Sequence, residues 1–152
     1  MKKRTILFFI LTVLWMGIVF LFSAETASES KQTSLAFLNK LIDFFDIDIV
    51  NKEVVEDLVR SLAHFALYLC GGMFAYSLFL MVLPRFKFVA CLGFGLIYSL
   101  SDEIHQVFVP GRAFEFKDIV IDFSGFLLGA CVVAIVHKLW VMIKNVQNAR
   151  KI

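Results

Sequence analysis

The chain is poor in what a soluble enzyme domain usually carries. Only 18% of its 152 residues are charged, and just two are proline, Pro84 and Pro110. There is no HExxH pair, phosphatase signature or familiar nucleophile motif, which removes the helix-borne zinc proteases and the common covalent hydrolases from consideration. Three cysteines, Cys70, Cys91 and Cys131, show neither CxxC nor Cys/His ligand spacing, and their odd number speaks against a disulfide framework. They are expected to act as buried small hydrophobes. No internal repeat or low-complexity linker divides the chain. Its basic residues are scattered and are not set among aromatics on a soluble face, which argues against nucleic-acid binding.

What is abundant is apolar. Hydrophobic residues make up 60% of the sequence, 18 of them phenylalanine, and the mean hydropathy is +0.83. Four stretches, near 5–23, 62–83, 88–100 and 119–143, are apolar enough to be read as membrane helices, which need roughly 20 residues to cross about 30 Å. The third is short. Helices are expected over strands because a backbone in lipid must satisfy its own hydrogen bonds. The expected fold is all-α: a single domain forming a four-helix transmembrane bundle, with an amphipathic helix on the outer surface between the first and second spans.

Charge orients the spans. With four crossings, Lys2, Lys3, Arg4, Arg85, Lys87, Lys138, Lys144, Arg150 and Lys151 share one side with no acid. The other side holds all 13 acids. The positive-inside rule makes the first side, with both termini, cytoplasmic. Met1–Ser28 resembles a signal peptide, but its apolar run over 6–22 exceeds the usual length of about 7–15 residues, so an uncleaved first helix is expected.

Within the outer segment 24–60, Leu35, Leu38, Leu41, Ile42 and Phe45 recur at helical spacing with Lys40, Asp43 and Asp46 between them, the pattern of a surface or covering helix. Asp48 or Asn51 can cap the next helix, whose first turns carry Glu53, Glu56 and Asp57. Pro84 ends that helix and Arg85–Lys87 anchor the inner turn. The tail from Lys144 is expected to fray.

The segment 101–122, SDEIHQVFVPGRAFEFKDIVID, concentrates ionisable groups between two apolar runs. At 1.5 Å of rise per residue from the basic anchors, Asp102 lies about 22 Å up, Asp122 about 24 Å and Tyr68 about 26 Å, with His64 and Asp118 about one turn further out. Charged groups at such depth cost several kcal/mol unless paired or hydrated, and so tend to face inward and serve function. Arg60, His64 and Tyr68 share one helical stripe; Asp118 and Asp122 share another, continued by Gly125 and Gly129 as a GxxxG packing surface. The Val109–Arg112 turn can fold Arg112 over this slab.

At these residues the sequence resembles the VanZ-like family of bacterial membrane proteins. The matching pieces are Phe22-Ser23, VRSLAHFALY at 59–68, and SDEIHQVFVPGRAFEFKDIVIDFSGFLLG at 101–129. Where the family's first helix often ends Ser-Gln, this chain reads SAETASES. The resemblance implicates Arg60, His64, Tyr68, Asp102, Glu103, His105, Gln106, Arg112, Asp118 and Asp122. It also implies a role in low-level resistance to glycopeptides of the teicoplanin type.

Three function classes fit these residues. In a membrane enzyme acting on a lipid-linked envelope intermediate, Asp102, Glu103, His64, Asp118 and Asp122 are the candidate catalytic groups. Glu103, His105, Asp118 and Asp122 would be candidate ligands for a divalent metal. In a binding protein, Arg60, Tyr68, His105, Gln106 and Arg112 would hold a membrane lipid, a lipid-linked wall precursor or a glycopeptide at the extracytoplasmic face. A small transporter or flippase is the third class, disfavoured because the inner half of every span lacks ionisable groups. The sequence leaves oligomeric state open.

Overall fold

A computed structural model describes residues 3–45 and 51–149, without the side chains of Leu41 and Phe45. The expectations placed on those two side chains, on Asp46 and Asp48, and on Lys2, Arg150 and Lys151 lie outside the described residues. Every element among the described residues is helical: α1 (Lys3–Ser23), α2 (Ala27–Phe45), α3 (Lys52–Val82), α4 (Lys87–Gln106) and α5 (Phe116–Ala149). Three of them, α1, α3 and α5, are long and apolar enough to cross a membrane. Their outward faces carry Leu7, Phe9, Val13, Leu21, Leu62, Ile135 and Trp140 exposed, an apolar surface that suits lipid and not water.

Contacts fix the directions of the helices. Thr5 meets Met81, and Trp15 Nε1 donates to the Leu67 carbonyl at 2.8 Å, so α1 and α3 are antiparallel. Tyr98 OH donates to Met16 O and Ser23 Oγ to Asp102 Oδ1, so α4 runs with α1. His64 faces Asp122, while added Cβ atoms at Gly125 and Gly129 would strike the carbonyl oxygens of Phe65 and Leu69. Paired numbers rise together, so α5 runs with α3. This α3–α5 seam is close because hydrogen stands where any other residue would place a methyl group. The core beside it gathers Trp15, Val19, Tyr68, Tyr76, Cys91 and Phe126.

Several expectations need correction. The third expected span, near 88–100, lies in α4, which is not among the three helices long and apolar enough to cross and which does not end near Leu100. Helix α4 continues through Asp102, Glu103 and Gln106, which are buried, while Ser101 and Ile104 are exposed. The ionisable residues therefore ride a helix face, and the non-helical connection shrinks to 107–115. Likewise α5 extends to Ala149, where a frayed tail was expected, since no proline or glycine follows Gly129 to stop it. Cys91 is buried as anticipated, but Cys70 is exposed on the apolar outer surface.

The covering helix exists and begins earlier than its apolar pattern. Thr26 and Glu29 form a reciprocal cap: Thr26 N donates to Glu29 Oε2 at 2.9 Å and Glu29 N to Thr26 Oγ1 at 3.3 Å. Leu38 is buried and Leu35 and Ile42 half-buried, with α2 packed on α3. Asn51 caps α3, its Oδ1 accepting from Val54 N at 3.4 Å.

Candidate functional site

Helix directions bring the C-terminal ends of α1 and α4 level with the N-terminal halves of α3 and α5. Polar side chains from all four meet there. Ser23, the last residue of α1, donates from Oγ to Asp102 Oδ1 at 2.6 Å, and Gln106, one turn on in α4, donates from Nε2 to Asp102 Oδ2 at 3.3 Å. His64 Nδ1 lies 3.3 Å from Asp122 Oδ1. Asp122 is 1% exposed and Asp102 5%. Neither Asp122 oxygen makes a hydrogen bond among the described residues, nor does the buried Tyr68 hydroxyl. His64, Asp102 and Asp122 each offer a ligand atom within 4.8 Å of the other two.

This differs from the depth order drawn from helical rise. His64 was expected one turn outside Asp122, beside Asp118. It instead pairs with Asp122, because α3 and α5 pack in a register that sets Gly125 against Phe65 and Gly129 against Leu69. Of the four metal candidates named from the sequence, only Asp122 belongs to the cluster that forms. Glu103 is buried elsewhere, its Oε2 accepting from Glu115 N at 2.6 Å and tying α4 to the start of α5. His105 stacks on Phe20 with centroids 4.6 Å apart. Asp118 is buried on a second, outer layer.

That outer layer is a cleft beneath α2. One chamber of about 270 Å³ is lined by Lys31, Glu56, Asp57, Gln106, Glu115 and Asp118. Another of about 280 Å³ is lined by Phe22, Thr33, Ser34, Ala63, His64 and Leu67. Arg60 and Arg112 line both. Arg60 Nη2 pairs with Asp57 Oδ1 at 3.2 Å, and Asp57 Oδ2 also takes Lys117 Nζ at 3.0 Å. Arg112 donates from Nε to the Glu25 carbonyl at 3.0 Å, while its Nη1 is buried without an acceptor among the described residues. Burial, then the nearby Arg60, hold the Arg112 guanidinium below its ordinary value, with Asp102, Glu25 and Asp118 acting the other way.

Sequence reasoning missed three contributors: Ser23 as the partner of Asp102, Glu25 as the carbonyl that holds Arg112, and Asp57 as the bridge between Arg60 and Lys117. Only Ser23 left a signal, as one of the residues carrying the family resemblance. The other two depend on where the chain turns.

Long apolar helices enclosing a polar cluster of this kind define a helical membrane protein. A family model described as VanZ/LLP1 matches residues 8–137, and the chain belongs to the VanZ-like family. Comparison with curated proteins and with solved structures gave no match.

Proposed function

We propose that this protein holds the charged headgroup of a membrane lipid or lipid-linked wall precursor in the Arg60/Arg112 cleft, on the extracytoplasmic side. Through that site it contributes to glycopeptide resistance of the teicoplanin type or to envelope maintenance. The sidedness rests on α1 and α4 running one way and α3 and α5 the other, which suits four crossings. It rests also on the end that bears Lys3, Arg4, Arg85, Lys87 and Lys138, with no acid.

The observation that carries the reading is the pair of arginines shared by two unlike chambers, with Arg112 Nη1 unpaired among the described residues. Guanidinium groups grip phosphate or carboxylate oxygens bidentately. The acid-lined chamber beside them suits amide or ammonium donors, and the Phe22/Ala63/Leu67 wall suits the apolar part of the same molecule. A wall precursor or a glycopeptide carries all three features.

The test is saturable binding of a lipid-linked wall precursor, and of labelled teicoplanin, to the purified protein in nanodiscs. Arg60→Ala and Arg112→Ala are each expected to weaken binding by about ten- to a hundredfold, the worth of one charge-assisted contact. Failure to bind either ligand removes the proposal. A second reading, a membrane enzyme turning the bound intermediate over, is favoured by the buried His64–Asp122 pair, a carboxylate–imidazole arrangement suited to proton transfer. Product formed by wild type and lost in Asp122→Asn would select it.

A further inference from the structure

The inner cluster does not balance its own charge. His64, Asp102 and Asp122 come from three helices, and the two aspartates are 5% and 1% exposed. Ionised, they set two negative charges against at most one positive charge on the imidazole, in a setting where uncompensated charge is costly. A doubly charged cation would cancel both carboxylates with the imidazole neutral, the protonation state metals require.

Geometry points the same way. His64 Nδ1 and Asp122 Oδ1 are 3.3 Å apart, yet neither Asp122 oxygen is hydrogen-bonded among the described residues. Two ligands about 2.1 Å from one metal stand roughly 3.0–3.5 Å apart at octahedral to tetrahedral angles. The buried Tyr68 hydroxyl lies beside Asp102 and Asp122 and makes no well-formed hydrogen bond among the described residues. Asp102 is already oriented by Ser23 and Gln106, in the way outer hydrogen bonds fix metal-binding carboxylates.

We infer that His64, Asp102 and Asp122 bind one divalent first-row metal ion of the zinc type, with a coordination position left for an oxygen of solvent or of a bound headgroup. One imidazole with two carboxylates favours Zn²⁺ or Mn²⁺ over the all-oxygen ions Mg²⁺ and Ca²⁺. The site does not rest on the headgroup reading, because neither arginine belongs to it, although His64 also lines one chamber of that cleft.

The experiment uses full-length protein in detergent micelles, stripped with chelator and titrated with ZnCl₂ and with MnCl₂ by calorimetry. One equivalent per chain is expected to bind, with Zn²⁺ the tighter. His64→Gln and Asp122→Asn should each lower affinity at least a hundredfold, and Ser23→Ala by about tenfold, while His137→Gln leaves it unchanged. X-ray absorption of the Co²⁺-loaded wild type should show an N/O shell containing one imidazole, which decides the matter even if a variant misfolds. No saturable binding, affinity kept in both ligand variants, or a shell without imidazole overturns the site. Arg60→Ala should weaken headgroup binding and keep the metal, so each proposal can fail alone.

Discussion

Ser23 Oγ and Asp102 Oδ1 are 2.6 Å apart although 79 positions separate them in the chain. That hydrogen bond joins the end of the first helix to the inner carboxylate cluster, and both residues are buried.

Ser23→Ala should therefore destabilise the protein. It removes the donor and leaves a buried carboxylate oxygen without it, a loss of about 1–3 kcal/mol. Thermal unfolding in detergent would register it as a lower midpoint, while a midpoint equal to wild type would show that the bond contributes nothing net.

The α3–α5 seam makes a sharper contrast. Gly129→Val would drive side-chain atoms into the Leu69 carbonyl, and overpacking of this kind costs about 1–3 kcal/mol or more. Gly93, on α4, has open space where a Cβ would stand, so Gly93→Ala should be tolerated. Measured side by side, equal stability of the two variants would contradict the seam.

Sidedness can be read chemically. With the native cysteines replaced by serine, Lys117→Cys should react with a membrane-impermeant maleimide added to intact cells. Arg85→Cys should react only after permeabilisation. The reverse pattern would invert the orientation.

The cap of α2 carries a pH signature. Hydrogen bonds from Thr26 hold the Glu29 carboxyl below its ordinary value. A depressed folded-state pKa means the cap contributes above the unfolded value and is lost as pH falls through the folded one. Thr26→Ala should return the Glu29 titration toward the ordinary range by NMR; an unmoved titration would show the cap does not form in solution.

Much of this fold was legible from period and punctuation. Asn51 announced the start of α3, Pro84 its end, and the Leu35/Leu38/Ile42 spacing the cover. Less legible was the extent of α4, since ionisable residues between two apolar runs look like a loop. Asp102, Glu103 and Gln106 stay helical because their one-sided spacing lets α4 bury them together, and a sequence does not state which face will meet a neighbour. The depth order failed similarly. Rise along a single helix is fixed, but the offset between α3 and α5 depends on packing, so the meeting of His64 with Asp122 could not be computed from either strand of text. Ser23 stands out in the sequence only through the family resemblance, because its role depends on α1 and α4 ending together.

The glycine seam carries a consequence for the pair above it. Gly125 and Gly129 stand one and two turns below Asp122 on the same stripe, and a slip of one turn, about 5.4 Å, would carry the carboxylate past the imidazole altogether. Two absent methyl groups thus act as the molecule's vernier, setting how far apart an acid and a base rest a turn or more away.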